Sequence, residues 1–298
     1  MQRAAAAGHE VLAIVRSGSS GHGASRTVRV GGLGKSEIEK ALAGCEAVVH
    51  CAARVHVMRD EGAAGRPAFR EVNTDGTRNV IEAARAAGAS RFVYLSTAKV
   101  HGEGRATPYL PGDPLAPIGE YAASKAAAEE AIVATDGIAW TIIRPPLVYG
   151  PHVGGNFRRL LTLASLGATV PLPLGGLDNR RSLVSVTNLA DAIIGALRTP
   201  ATRGKRYLVS DRHDLSTTEL IRALGAALGQ PVRLFALPSG ALRTGLALIG
   251  KSAESARLLD SFAVDSSALW MDLGAGPTQT TAVAFAEVAA WWQSRSRS

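Results

Sequence analysis

Short apolar runs of strand length alternate along the first half of the chain with longer stretches whose apolar residues recur at helical spacing. The strand-like runs cover residues 11–15, 47–53, 91–97 and 139–146, and the helical patterns cover about 35–42, 69–88 and 121–135. This alternation predicts parallel β-α-β units with helices on both faces of one sheet.

Beyond Gly150 the pattern is less regular, with a helix predicted over 156–168, a Pro/Gly-rich loop, and a further strand and amphipathic helix over 182–198. We therefore predict an α/β fold: a doubly wound, mostly parallel, Rossmann-like sheet with a smaller interleaved C-terminal lobe. The core is expected to comprise 1–150 plus about 182–210, and the lobe about 151–181 plus 211–298. Open α/β sheets bind ligands at the carboxyl ends of their strands, where the lobe would cover them.

The composition is that of an ordinary globular protein, with 46% hydrophobic and 19% charged residues in 298. No apolar run is long enough to span a membrane, and no secretory signal is recognisable. Two cysteines, Cys45 and Cys51, offer neither a disulfide framework nor a metal cluster. We expect a cytoplasmic protein without a bound metal.

The net charge of +8 raises the question of a nucleic-acid partner. The Lys and Arg residues are scattered, however, and only 5% of the chain is aromatic, so the basic patch interleaved with stacking side chains that binds single strands is missing. We expect no nucleic-acid partner, and interpret some of the arginines as contacts to an anionic small ligand.

The segments LSTAKVHGE and EYAASKAAAEE carry the candidate chemistry. Tyr121 and Lys125 are four residues apart, so they share one face of a helix. An ammonium near a phenol favours the phenolate, and we expect it to lower the pKa of Tyr121. Such a tyrosine can exchange a proton with an alcohol or carbonyl, and Thr97, at a strand end, could orient the same oxygen.

With VNTDGTRNVIEAA, RPPLVYGP and RRSLVSVTNLADAI, these motifs resemble the extended short-chain dehydrogenase/reductase family, in its nucleotide-sugar epimerase/dehydratase branch. The resemblance covers most of the chain and implies an enzyme that binds NAD or NADP and a nucleotide-diphosphate sugar, expected to be UDP-linked; a homodimer stays open. It implies the catalytic residues Thr97, Tyr121 and Lys125, cofactor contacts from Arg16, Ala52, Ala53, Asn73, Lys125 and Pro145, and substrate contacts from Lys99, His101, Asn156 and Arg181.

Which reaction this enzyme catalyses depends on the residues after Thr97. The family's 4,6-dehydratases carry an Asp-Glu pair there, whereas this chain has Ala98 and Lys99, which disfavours dehydration. Two reactions stay open: UDP-sugar 4-epimerisation, and reduction of a 4-keto-6-deoxy sugar in surface-polysaccharide synthesis. The alternatives are a hydroxysteroid- or flavanol-type reductase of the same superfamily and a non-catalytic dinucleotide-binding relative.

The cofactor end of the predicted site shows two departures. Arg16 ends the first strand where an acidic residue usually holds the ribose, which tilts the prediction toward NADP. The stretch MQRAAAAGHEVLAIVRS is typical of a helix end entering a strand, and the family's G-x-x-G-x-x-G turn, which seats the pyrophosphate, is found at no useful position. We interpret the opening as the back half of the first β-α-β unit, and expect this form to bind cofactor weakly.

Overall fold

The computed structural model describes residues 1–16, 21–55 and 68–295, apart from the side chains of residues 253 and 254. The strands are β1 Leu12–Arg16, β2 Arg26–Val30, β3 Ala47–His50, β4 Arg91–Leu95, β5 Ala139–Arg144, β6 Leu147–Tyr149, β7 Leu183–Ser185 and β8 Lys205–Leu208.

The helices are α1 Gln2–Ala6, α2 Lys35–Ala41, α3 Gly76–Ala86, α4 Glu120–Val133, α5 Gly155–Gly167, α6 Val186–Arg198, α7 Thr217–Ala227, α8 Ser239–Leu248, α9 Ser252–Leu259, α10 Ser267–Leu273 and α11 Thr281–Arg295. A π-helical turn, Arg70–Asp75, leads into α3, and 3₁₀ turns lie at Ala98–His101 and Pro200–Thr202. Among the described helices, none is both long and apolar enough to cross a membrane.

All pairings between these strands are parallel. The central sheet has the order β3-β4-β5-β8, and β1-β2 and β6-β7 form two further pairs. The first four residues of β4 are buried, as expected for a strand covered on both faces. Within the described residues, no strand hydrogen bonds join β1 to β3, so the sheet is interrupted there.

Helices cover both faces of the central sheet, which confirms the doubly wound α/β prediction. On one face α2, α3 and α4 pack through a cluster that includes Ile38, Ile81 and Ile132. On the other face α6 and α10 pack through Leu189 and Trp270. The helix α10 therefore packs against the core, although it falls within the range predicted for the lobe.

The smaller lobe has a hydrophobic cluster of its own, built mainly from α5, α7 and α11. Phe157, Ile221 and Phe285 are among its buried members. Tyr149, from the range predicted for the core, stacks on Phe157 with ring centroids 5.1 Å apart. One feature from each predicted range therefore packs with the other unit: α10 packs against the core, and Tyr149 packs in the lobe. The boundaries between core and lobe stay a prediction.

The opening segment forms the helix end and strand that its sequence predicts. The helix α1 ends before Gly8, whose φ of +84° is a conformation that glycine adopts readily. Arg3 donates two hydrogen bonds of 2.5 Å to Asp191 on α6. This ion pair fastens the N-terminal helix to the helical layer of the core.

Candidate active site

The site is built where β4 and β5 end, at the carboxyl edge of the central sheet. Directly after β4, Thr97 begins the 3₁₀ turn and its Oγ1 accepts a hydrogen bond of 3.3 Å from the Lys99 backbone N–H. The Ala98 N–H donates to the carbonyl of Pro145, which follows β5, at 2.8 Å. These bonds fix Thr97 and the predicted cofactor residue Pro145 side by side.

The phenol of Tyr121 lies against Thr97. Gly119, with φ +81°, turns the chain into α4 and places Tyr121 in the first turn of that helix. Burial raises the pKa of Tyr121, and the nearby Thr97 side chain acts in the opposite direction. The expected lowering of the Tyr121 pKa by Lys125 is therefore not found, because desolvation outweighs the other effects.

Lys125 is almost fully buried, with 1% of its surface exposed. Its ammonium donates a hydrogen bond of 2.6 Å to the carbonyl of Leu95 and lies 4.1 Å from the centre of the Tyr94 ring. Burial lowers the pKa of Lys125 to about 7. The lysine that the motif places one helical turn from Tyr121 therefore loses its proton at a lower pH than an exposed lysine does.

We expect Lys125→Met to change how stability depends on pH. Between about pH 7 and the lysine's ordinary pKa of 10.5, the unfolded chain binds one more proton at this position than the folded protein does. The contribution of Lys125 to the free energy of unfolding therefore rises with pH across this window, by up to about 1.4 kcal/mol per unit. Relative to wild type, the variant should be favoured most below pH 7, and the stability difference should shift progressively toward wild type at pH 8 and pH 9.

Urea unfolding at pH 6.5, 8 and 9 measures this difference. Lys40→Met, at an exposed position on α2, is the matched control for removing a lysine side chain that is not buried. Parallel pH dependences for wild type and Lys125→Met would contradict a lowered lysine pKa.

The predicted cofactor residues Ala52 and Ala53 lie in the loop after β3, and Asn73 fixes that loop. The fully buried Asn73 side chain accepts from the Arg54 N–H at 2.7 Å and donates to the Arg54 carbonyl at 3.0 Å. It also donates to Ser124 Oγ on α4 at 2.9 Å. The start of the loop, Cys51, lies close enough to Lys125 to influence the pKa of that lysine. This arrangement fits the nicotinamide half of a dinucleotide.

The other half of the cofactor would lie toward β1. Arg16, the last residue of β1, is exposed, and residues 17–20 lie outside the described part of the chain. From residue 21 the chain turns directly into β2, and among the described residues no helix starts between these two strands. The cofactor contacts of Ala52, Ala53 and Asn73, and that of Arg16 with an adenosine phosphate, stay predictions.

Three of the predicted substrate residues lie on different elements: Lys99 in the 3₁₀ turn, Asn156 on α5 and Arg181 just before β7. Lys99 is half-exposed and donates to both carboxylate oxygens of Glu103 at 2.7 Å. Arg181 is half-buried, donates to the Asp260 carbonyl at 2.8 Å, and is close enough to Glu103 for a charge interaction. Asn156 is half-buried in the first turn of α5.

His101, the fourth predicted substrate residue, is buried, and both of its ring nitrogens have protein partners. A contact between His101 and substrate stays a prediction. The carbonyl of Ser261 lies so close to Gly104 that a Cβ there would come within 2.4 Å of it. The turn that carries Lys99 and His101 therefore meets the lobe directly.

A buried ion pair behind the site was not found by sequence reasoning. Glu129, one turn after Lys125, accepts two hydrogen bonds from Arg144 Nε at 3.0 and 3.2 Å, and a further bond from Arg144 Nη2. Ser96, directly before Thr97, donates to the same carboxylate. A charged residue within the apolar run AWTIIR was the available signal, since a buried arginine requires a partner. Among the described residues, no group of three or more His, Cys, Asp or Glu side chains could hold a metal ion.

A doubly wound parallel sheet with a threonine, a tyrosine and a lysine at its carboxyl edge defines the extended short-chain dehydrogenase/reductase class. Residues 1–210 match the model of the NAD dependent epimerase/dehydratase family. The chain belongs to that family.

Relatives within the family differ in their substrates. The chain is 40% identical over 269 residues to a UDP-glucose 4-epimerase of Vibrio cholerae, which covers 88% of this chain and 81% of the relative. It is 34% identical over 214 residues to a ceramide reductase of Caulobacter vibrioides, covering 71% and 59% respectively. Its fold superposes on the dTDP-glucose 4,6-dehydratase of Streptomyces venezuelae solved with NAD bound, with a TM-score of 0.73, 26% identity, and coverage of 98% and 92%.

Proposed function

We propose that the protein is an NAD(P)-dependent enzyme acting at C4 of a nucleotide-linked sugar. The two reactions are 4-epimerisation of a UDP-hexose or UDP-N-acetylhexosamine, and reduction of a 4-keto-6-deoxy sugar. The main support for this proposal is that Tyr121 lies close to Thr97 and precedes Lys125 by one turn of α4. The similarity to a UDP-glucose 4-epimerase over most of both chains supports the substrate class.

In the proposed reaction the chain supplies the proton transfer and the positioning. Tyr121 exchanges a proton with the C4 oxygen, and the Thr97 hydroxyl orients that oxygen. Lys125 and the loop held by Asn73 would bind the nicotinamide ribose. NAD(P), when bound, accepts or returns the hydride. Because Ala98 and Lys99 occupy the positions after Thr97, the chain offers no acid and base there for removing water.

The substrate and reaction type are tested together by incubating the protein with UDP-glucose, UDP-N-acetylglucosamine or a UDP-4-keto-6-deoxy sugar and following both sugar and cofactor. An epimerase interconverts the first two with their C4 epimers without net use of cofactor, whereas a reductase consumes one reduced cofactor per keto sugar. Turnover inhibited competitively by UDP supports the proposal. Reduction of a steroid or flavanol ketone that UDP does not inhibit would replace it, and cofactor binding without any turnover would favour a non-catalytic relative.

Arg181 is proposed to bind the diphosphate of the substrate. Arg181→Leu should raise the KM for the UDP-sugar by about 10- to 100-fold and change kcat less, because charge-assisted hydrogen bonds contribute about 1.5–3 kcal/mol. Steady-state kinetics measures this, and Arg222→Leu, at an exposed position of α7, is the matched control. An unchanged KM in the Arg181 variant would remove this residue from the binding site.

Three finer assignments belong to the same proposal. Arg16 favours NADP over NAD, which the ratio of the two cofactors' KM values would test. A homodimer and a cytoplasmic location are also proposed. The location is supported by the absence of a disulfide between the two cysteines, Cys45 and Cys51, which are both free.

A further inference from the structure

The surroundings of His101 allow one protonation state of its ring. Nη1 of Arg144 lies 2.9 Å from His101 Nε2. A guanidinium can only donate hydrogen bonds, so Nε2 must accept. The single ring proton is then on Nδ1, which faces the Pro114 carbonyl at 3.3 Å and donates to it. The geometry therefore assigns a neutral ring in the Nδ1–H tautomer.

The two partners of His101 connect opposite sides of the site. His101 is the last residue of the 3₁₀ turn that follows Thr97. Arg144 Nη1 also donates to the carbonyl of Pro111 at 3.0 Å. Arg144 therefore binds Pro111, and His101 binds Pro114. The segment 111–114 leads through Gly119 into α4 and hence to Tyr121. One imidazole thus joins the turn after Thr97 to the segment before Tyr121.

Four charged or titratable side chains lie close to His101, each on a different element or segment. They are Arg144 on β5, Glu129 on α4, Asp113 in the proline-rich segment, and Tyr109, whose ring stacks on the imidazole at 5.6 Å. Burial and Arg144 lower the pKa of His101, while the Pro114 carbonyl, Glu129 and Asp113 oppose them. A second ring proton would be directed at a guanidinium that is itself a donor, so protonation must break the contact with Arg144.

We propose that neutral His101 is a positioning residue that clamps the segment 111–114 to Arg144, keeps Tyr121 in contact with Thr97, and releases that segment when acid protonates its ring. The clamp is a property of the protein alone. Its effect on turnover rests on the proposed function.

The tautomer is tested on the protein without added nucleotide, by two-bond ¹H–¹⁵N correlation spectra of its histidines at pH 7. His101 is expected to show a protonated Nδ1 and an unprotonated Nε2. A proton on Nε2, or a doubly protonated ring at pH 7, would overturn the assignment. This result does not depend on which reaction the enzyme catalyses, so it separates failure of the clamp from failure of the proposed function.

Release of the segment is tested by amide hydrogen exchange of residues 110–118 between pH 7 and 5, corrected for intrinsic exchange. The wild type is expected to lose protection on acidification, whereas His101→Gln keeps it, because an amide carries an acceptor and a donor but does not titrate. His22→Gln, at an exposed turn position, is the control and should behave as wild type. The same acid-dependent loss in His101→Gln and wild type would contradict the proposal.

The kcat and KM of two His101 variants show whether this residue positions Tyr121 or only stabilises the fold. His101→Phe keeps a ring against Tyr109 but cannot accept from Arg144, and should lower kcat about 10- to 100-fold with the KM for substrate changed less. His101→Gln should keep most of kcat at pH 7 and lose the part of the acid decline that belongs to His101. Wild-type kcat in the Phe variant, or a wild-type acid decline in the Gln variant, would overturn the role; if the Phe variant does not fold, the Gln variant still decides.

Discussion

Tyr121→Phe is expected to abolish turnover while leaving nucleotide-sugar binding largely intact. The phenol is the group that exchanges a proton with the C4 oxygen in the proposed reaction, and it contacts Thr97. The phenylalanine ring keeps the edge-on packing against Phe69, where the ring centroids are 6.4 Å apart. Loss of a positioned acid or base costs about 10²–10⁴-fold. We therefore expect kcat to fall by that factor, measured by steady-state kinetics beside calorimetric titration with UDP-sugar.

A second tyrosine variant tests whether the effect on kcat is specific to Tyr121 or follows from removing any buried tyrosine hydroxyl. Tyr207→Phe on β8 removes a hydroxyl that bonds to Asp272, away from Thr97, and should keep the wild-type kcat. A Tyr121→Phe enzyme that turns over at the normal rate would remove this tyrosine from the mechanism. If Tyr121→Phe lost nucleotide-sugar binding as well, its effect would be structural.

Glu129→Gln is expected to lower the free energy of unfolding by about 3–5 kcal/mol. The side chains of Arg144 and Glu129 are 2% and 1% exposed, so neither charge is screened by water. Glutamine has nearly the same shape, but it leaves the Arg144 guanidinium buried beside a neutral amide. Urea unfolding at pH 7.5 measures the loss.

The size of that effect depends on burial, which a second ion pair can test. Glu82→Gln breaks the contact with Lys35, in which the two side chains are 33% and 48% exposed. Because exposed pairs contribute about 0–1 kcal/mol, the Glu82 variant should be nearly as stable as wild type. Equal losses in the free energy of unfolding at the two positions would contradict the claim that burial makes the pair between Arg144 and Glu129 costly to break.

Local sequence patterns were enough to predict the layered architecture. The alternation of apolar strands with helical spacing correctly predicted parallel pairing and helices on both faces of the sheet. The four-residue spacing of Tyr121 and Lys125 placed both residues on α4, and the strand end at Ser96 and Thr97 placed the threonine against the phenol. These features follow from chain geometry over a few residues, which a sequence contains directly.

Properties set by contacts between distant segments could not be predicted in this way. The rise in the pKa of Tyr121 comes from burial by other elements, which outweighs the opposing effect of Thr97. The bond between His101 and Arg144 joins residues 43 positions apart. The packing of α10 against the core likewise depends on Trp270 meeting β8 and α6, and no local pattern indicated that.

The interruption of the sheet between β1 and β3 has a consequence for how the molecule opens. In the described part of the chain, β2 is joined to the remainder by side-chain packing of Val30 in the cluster that holds Ile81. The segment before β1 is held by the ion pair from Arg3 to Asp191 and by hydrogen bonds from Arg198 to His9 and Ala7. A continuous ladder of backbone bonds would add to the free energy needed to open this pair. Without that ladder, β1 and β2 can detach together as one cooperative unit below the free energy of global unfolding. The pair β1-β2, where the adenosine end of the cofactor is predicted to bind, would then be exposed to proteases before the central sheet is.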